Sequence, residues 1–206
     1  MIRARHHPVI YPFFKWLSLW LIRHRFNSVR IQGEFNDTGT AVLVIANHIS
    51  WWDGFWIMML NIRIIKKKFH FMMLEEQLKK HWYFQYTGGY SVRKKSRSVM
   101  ESIEYTRMLL NTKENMVLLF PQGKIHSLYD SQVVFEQGIE RILSGVPSDT
   151  QVLLVANLVD YLADVRPNLF VYIQPCTVAD FSNSPIETAY NRFYQEVLEL
   201  QKGRVC

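Results

Sequence analysis

The sequence has little of what small domains use for covalent or metal frameworks. Its 206 residues include two cysteines, Cys176 and Cys206, far apart and without a C-x-x-C pairing. That excludes a disulfide framework and a cysteine zinc site, and it fits a reducing, cytosolic compartment. Cys176 reads as a small buried hydrophobe rather than a nucleophile. The seven histidines follow no H-E-x-x-H or similar spacing, so no metal is expected. No Pro/Gly-rich linker, internal repeat or low-complexity tract divides the chain, which predicts one domain. Long hydrophobic runs are also missing. The best candidate, "PVIYPFFKWLSLWLIRHR" at residues 8–25, is interrupted by Lys15 and Ser18 and falls short of the roughly 20 residues a membrane span needs. No small-residue cleavage site follows it, so a signal peptide is not expected either.

What is present is a large apolar fraction, 49%, enough for a real core, and an uneven distribution of charge. The net +6 is confined to two segments. Residues 1–30 hold Arg3, Arg5, Lys15, Arg23, Arg25 and Arg30 with no acid, and residues 63–97 hold ten Lys/Arg against Glu75 and Glu76. The remainder is net acidic. In the first segment Phe13, Phe14, Trp16 and Trp20, flanked by Arg and His, suit a helix lying in the headgroup region of an anionic membrane. The plainer alternative is a first helix packed on the core with a basic outer face. Basic and aromatic patches also permit nucleic-acid binding, but no recognised motif supports it, and no nucleic-acid partner is expected.

Apolar runs at 41–46, 69–74, 90–92, 116–120, 152–158 and 169–173 read as buried strands. Helical periodicity lies between several of them. Helices are expected at 51–60, 75–83, 98–110, 133–143 and 185–200. Continuously apolar strands alternating with helices indicate an α/β fold, a mixed, largely parallel sheet covered by helices. The expected organisation is an N-terminal amphipathic helical extension, residues 1–30, on an α/β domain, residues 31–206.

The stretch "VIANHISWWDGFW", residues 44–56, places His48 and Asp53 five positions apart. The spacing alone is common by chance, so context must carry it. Asn47 and His48 should emerge at the C-terminal end of a buried strand, where α/β sheets place ligand sites. A five-residue step on a continuous helix turns roughly 500° and separates the two side chains. They meet if His48 sits in the strand-to-helix turn and Asp53 in the first helical turn, with Ser50 as N-cap. The carboxylate would then fix the imidazole tautomer and leave its other nitrogen as a base. No G-x-S-x-G elbow surrounds Ser50, so the nucleophile is sought in a substrate hydroxyl.

"NHISWWD" resembles the N-H-x4-D motif of the glycerol-phosphate and lysophosphatidate acyltransferase family. "TGGYSVRKKSR", residues 87–97, resembles that family's second motif, and "LLFPQGKIHS", residues 118–127, its third, usually F-P-E-G-T-R-S. The likeness spans about residues 30–160. It implies acyl transfer from a thioester, acyl-CoA or acyl carrier protein, directly to a lipid hydroxyl, without a cofactor, metal or covalent intermediate. His48 would be the general base and Asp53 its orienting carboxylate. Asn47, Arg93, Lys94, Pro121, Gln122, Gly123 and Lys124 would bind substrate, with Arg93 preferred to Lys94 as the second-motif cation. Gln122 stands where the family usually has Glu, and Lys124, Ile125 and His126 replace its Thr-Arg pair. These departures leave the acceptor open between lysophosphatidate and a non-glycerophosphate lipid such as a glycolipid, aminolipid or pigment alcohol. A catalytically silent lipid-binding relative is a further alternative.

Other residues have plainer readings. His126 and Asp130 are four apart, but a loop is expected there after Pro121 and Gly123. His70 and His81 read as packing or surface residues. Trp51, Trp52, Phe55 and Trp56 would pack the motif helix, or line an acyl chain or a membrane-facing rim. Lys66 to Lys68 would dock anionic headgroups or an acidic carrier protein. Together these features predict a peripheral enzyme on the inner face of the cell membrane.

Overall fold

The computed structural model describes residues 1–93 and 98–204. Seven strands form one sheet: β1 (Val29–Gln32), β2 (Val42–Ala46), β3 (Lys68–Leu74), β4 (Gly89–Val92), β5 (Asn115–Leu119), β6 (Gln151–Asp160) and β7 (Asn168–Thr177). Their spatial order is β1-β7-β6-β2-β5-β3-β4. Every neighbouring pair is parallel except the hairpin-like β6 and β7. The helices are α1 (Ile10–Arg25), α2 (Asp53–Leu60), α3 (Glu75–Lys80), α4 (Ser98–Leu110), α5 (Ile139–Leu143) and α6 (Ile186–Lys202).

Strand β2 is apolar at every position because both faces of the sheet are covered. Leu43 and Ile45 pack in one layer with Ile103 and Leu110 of α4, Ile142 of α5 and Tyr190 and Tyr194 of α6. Val42, Val44 and Ala46 pack in the other with Ile22 of α1 and Phe55, Trp56 and Met59 of α2. The chain leaves β2 toward β3 and later returns on its far side as β6, with β5 inserted between β2 and β3. The carboxyl end of β2 is therefore a point where strand order reverses, the crevice in which open α/β sheets bind ligands.

Several expected elements differ in extent. The helix expected at 133–143 begins only at Ile139. Residues 133–136 are irregular and 137–138 a turn instead, held by tertiary bonds. Asn191 bonds both main-chain groups of Val133, Pro121 O accepts from Glu136 N, and Gly138 has φ 132°. The motif helix starts at Asp53 rather than Trp51, and the helix expected at 75–83 ends at Lys80, with a separate 3-10 turn over Trp82–Tyr86. β1 escaped the sequence reading because "VRIQ" is short and half polar, as suits an edge strand.

The N-terminal residues cover the opposite edge. Ile2 exchanges bonds with Ser91, Arg5 bonds Gln85 and Gly88, and His7 bonds Tyr86, so β4 is not left open to other chains. Gly88, at φ 104°, permits this approach, since a Cβ there would lie 2.0 Å from Phe69 O and 2.9 Å from His6 Nε2. His6 Nε2 donates to Phe69 O at 2.8 Å, and its ring meets His70 edge-on at 4.8 Å. His70 is 4% exposed and donates through Nε2 to Asn115 Oδ1. Burial, with His6 and Lys68 nearby, pushes His70 down from 6.5 to about 3. Burial lowers His6 as well.

A histidine depressed in the folded state contributes stability above its unfolded pKa and loses it as pH falls toward the folded value. Urea unfolding of the wild type should therefore show stability declining as pH falls below about 6.5, toward 3. His70→Phe, which keeps a buried ring without the proton site, should show a flatter decline over the same interval. Parallel curves would contradict this assignment.

Candidate active site

Strand β2 ends at Ala46, and residues 47–52 make the turn that leads into α2. Asn47 is fully buried. Its Nδ2 donates to Asn157 O at 2.8 Å, and its Oδ1 accepts from Asn157 N at 2.7 Å. Both ends of its amide are thus engaged in joining the ends of β2 and β6. These bonds make Asn47 a strut that fixes where the next residue points.

That residue is His48. Its Nδ1 lies 2.7 Å from Asp53 Oδ2. The same oxygen accepts from Ile49 N at 2.7 Å and Ser50 N at 3.0 Å. One carboxylate oxygen therefore gathers three groups from consecutive residues of a tight turn, which brings together a pair that a regular helix would separate. An oxygen that accepts two main-chain N–H groups is not itself the donor, so the hydrogen between it and Nδ1 belongs to the imidazole. Nε2 is left with its lone pair. Ser50 is not the N-cap expected for α2. That position is Trp52, without a side-chain cap, while Ser50 Oγ accepts from Trp52 N.

Asp53 is fully buried, and its Oδ1 has no partner among the described residues. Burial raises its pKa, against the lowering effect of His48 and of the Ser50 and Ile49 N–H groups, and the net shift is upward. A carboxyl with a raised folded pKa contributes most to stability while protonated and loses that contribution as pH rises through its folded value. The ionised form is therefore kept at a cost to the fold.

The end of β5, the neighbouring strand, completes the site. Phe120 stacks on the His48 ring at 4.3 Å and 13°. Gly123, at φ 63°, turns the chain, with its N–H bonded to Phe120 O. Gln122 is 4% exposed, and its Oε1 accepts from His48 N at 2.6 Å. His126 N donates to His48 O at 2.9 Å. The third block thus grips both main-chain groups of His48. Pro121 is buried, its carbonyl occupied by Glu136, while Lys124 is exposed. His126 lies in a loop, as expected, and still meets Asp130 at 3.1 Å.

Arg93 donates to Glu75 Oε1 at 2.6 Å, and Lys79 shares that oxygen at 2.9 Å. Together they hold the Glu75 carboxyl down to about 2. Lys94 lies outside the described residues. Among the described residues, no cluster of His, Cys, Asp and Glu has the composition to hold a metal.

The acyltransferase family model matches residues 28–178, most of the chain and all of the geometry above. The chain belongs to the acyltransferase family. Among solved structures, this acyltransferase is similar to the crystal structure of the 1-acyl-sn-glycerophosphate (LPA) acyltransferase PlsC from Thermotoga maritima. The TM-score is 0.64 at 22% identity, over 96% of this chain and 80% of that one. No curated protein matches the acyltransferase in sequence. The shared fold is single-domain α/β with helices on both faces of the sheet.

Reading the sequence by motif found His48 and Asp53 but missed the hold of Gln122 and His126 on the His48 main chain. No spacing rule reports a contact between one strand's end and the next. Replacing Asp53 by Asn should lower the acyl-transfer rate by at least about 100-fold. The thermal midpoint should stay unchanged or rise, because a buried charge is removed. A folded variant with wild-type specific activity, or one whose thermal midpoint falls, would contradict this account of Asp53.

Proposed function

We propose that the protein moves a fatty acyl group from a thioester to a hydroxyl of a lipid, with His48 as general base and Asp53 as its orienting partner. The observation that carries this reading is the engagement of His48 Nδ1 by a buried carboxylate oxygen, which leaves Nε2 to work on a substrate. Nε2 takes the proton of the acceptor hydroxyl as its oxygen attacks the thioester carbonyl carbon. The Asp53 carboxylate stabilises the imidazolium that results. As the tetrahedral intermediate collapses, the carbon–sulfur bond breaks, and the leaving thiolate receives the proton from Nε2. The products are an ester and a free thiol, and His48 returns to its starting state. No protein nucleophile is required, and Cys176, whose thiol burial pushes up to about 11, is poorly suited to be one.

The donor is acyl-CoA or an acylated carrier protein, for which the exposed Lys66 and Lys68 offer positive charge, whereas the Lys67 ammonium is engaged by Asp37 at 3.0 Å. Lysophosphatidate, the acceptor named for the Thermotoga structure, is the first acceptor to test. A non-glycerophosphate lipid is the second reading, favoured by one observation: the charge of Arg93 is engaged by Glu75. The enzyme would work at a membrane surface. No described helix is long and apolar enough to cross one, but Phe13, Trp16 and Trp20 are half exposed along one face of α1. The other face packs on α2 through Ile22. Both expectations for this helix therefore have support, packing on one side and an aromatic stripe on the other. The inner face of the cell membrane is the proposed location.

The wild type, incubated with labelled acyl-CoA or acyl carrier protein and a panel of lysolipids, should form labelled diacyl product. His48→Ala should reduce the rate by about 100- to 10,000-fold with an unchanged circular dichroism spectrum. Equal turnover would remove His48 from the chemistry. In co-sedimentation with anionic liposomes, the double variant Trp16→Ala/Trp20→Ala should bind more weakly than wild type, and undiminished binding would return α1 to a purely structural role.

A further inference from the structure

Five side-chain atoms among the described residues are buried without a hydrogen-bond partner, and four of them belong to Asp53, Trp56 and Asn157. Of Asp53, the proposed acyl transfer uses only Oδ2. Trp56 stands three residues after Asp53 in α2, which sets the two on one face of the helix, and both are buried. Trp56 packs in one layer with Ala46 of β2, Val155 of β6 and Val171 of β7. Asn157 is fully buried, two residues beyond Val155 and paired with Val171. Side chains two apart on a strand, and those paired across antiparallel strands, share a face of the sheet. The Asn157 amide therefore lies on the face that α2 covers. It also lies at the level of the His48 turn, because Ala46 pairs with Val155 and the Asn157 main chain holds Asn47.

The four atoms are chemically complementary. Ionised, Asp53 Oδ1 only accepts; Trp56 Nε1–H only donates; the Asn157 amide does both. None of them meets another directly, so the set is satisfied by a bridging group that itself donates and accepts, a water molecule. Asp53 is where such a bridge matters. Burial raises its pKa against the bonds made to the carboxylate, and donors at Oδ1 act in the same sense as those bonds. The other titratable groups that face the pair are Tyr190 of α6, kept neutral by burial, and His126 with Asp130 in the loop after β5. Helix α2 carries no second charge, and Arg23, His24 and Arg25 at the end of α1 are exposed.

We propose that Asn157 and Trp56 are positioning residues that, through an ordered internal water, supply hydrogen bonds to Asp53 Oδ1 and keep its carboxylate turned to His48. This rests on the reading of His48 and Asp53 as the reacting pair. Asn157 then serves the site twice, its main chain anchoring Asn47 and its side chain supporting Asp53.

Asn157→Val and Asn157→Thr have the same shape and differ by one hydroxyl, while Trp56→Phe removes the indole N–H. The apparent pKa of the His48–Asp53 pair is read by carbon-13 NMR at the Asp53 carboxyl, and as the acid limb of kcat/KM with labelled acyl-CoA and lysophosphatidate. It should rise by about one unit in Asn157→Val and in Trp56→Phe, because a carboxylate that loses donors holds a proton more tightly. Asn157→Thr, whose hydroxyl donates and accepts, should recover most of the wild-type profile. A role in packing alone would lower the thermal midpoint and leave the titration of the pair at its wild-type position. That result would overturn the inference, as would equal shifts in the valine and threonine variants. If Asn157→Val does not fold, an unmoved titration in Trp56→Phe is enough to overturn it. The NMR titration needs no turnover, so the expected shifts in a protein inactive with every donor and acceptor would sustain the Asp53 contact and overturn the acyl-transfer reading.

Discussion

One carboxylate oxygen organises this protein's active end. Asp53 Oδ2 receives the His48 ring and the N–H groups of Ile49 and Ser50, and everything near it is arranged so that it can. A single acceptor reaches three donors only because the chain turns tightly between β2 and α2. The turn keeps its place because Asn47 ties the end of β2 to β6 and the third block, after β5, grips His48 from the other side. Full burial of the carboxylate strengthens each of these bonds by excluding water. The same burial opposes ionisation, so the attraction of three donors is set against the loss of solvent around a charge. Asp53 Oδ1 and Trp56 Nε1, without partners among the described residues, indicate that local satisfaction is incomplete. Such compromise is expected where a fold serves chemistry rather than stability.

Much of this was legible because it depends on local pattern. The strands of the central sheet are buried on both faces and read as unbroken apolar runs. The mismatch between a five-residue step and a helical turn required a turn at His48, and the structure has one. Contacts that depend on spatial neighbours could not be read. Asn47 looks the same in sequence whether its amide faces a ligand or the main chain of Asn157. The third-motif resemblance places Gln122 on substrate, but one end of its amide belongs to His48. The stretch 133–138 has helical apolar spacing, yet Asn191 and Pro121, both distant in sequence, capture its main chain first. A tertiary hydrogen bond outweighs a weak propensity at such places.

The aromatic residues connect the His48 turn to the outside. Phe26, just past α1, meets Trp52 and Trp56 at 5.7 Å each, and Trp51, more than half exposed, packs on Phe55 at 4.7 Å. The helix with the exposed aromatic stripe and the helix that carries Asp53 are therefore one packed unit. In the proposed setting, contact of α1 with a lipid surface would present the His48 turn close to the layer that supplies the acceptor. This arrangement needs no membrane-spanning segment, only an apolar face whose position relative to the site is fixed by packing.

The central claim is that Asp53 holds the His48 imidazole as the Nδ1–H tautomer, with Nε2 free to take a proton. Nitrogen-15 NMR of the histidine-labelled protein, with His48 assigned by comparison with His48→Ala, tests it directly. The account predicts that His48, in its neutral form, has a protonated Nδ1 bonded to the carboxylate and an unprotonated Nε2. An unprotonated Nδ1 with hydrogen on Nε2 would contradict it.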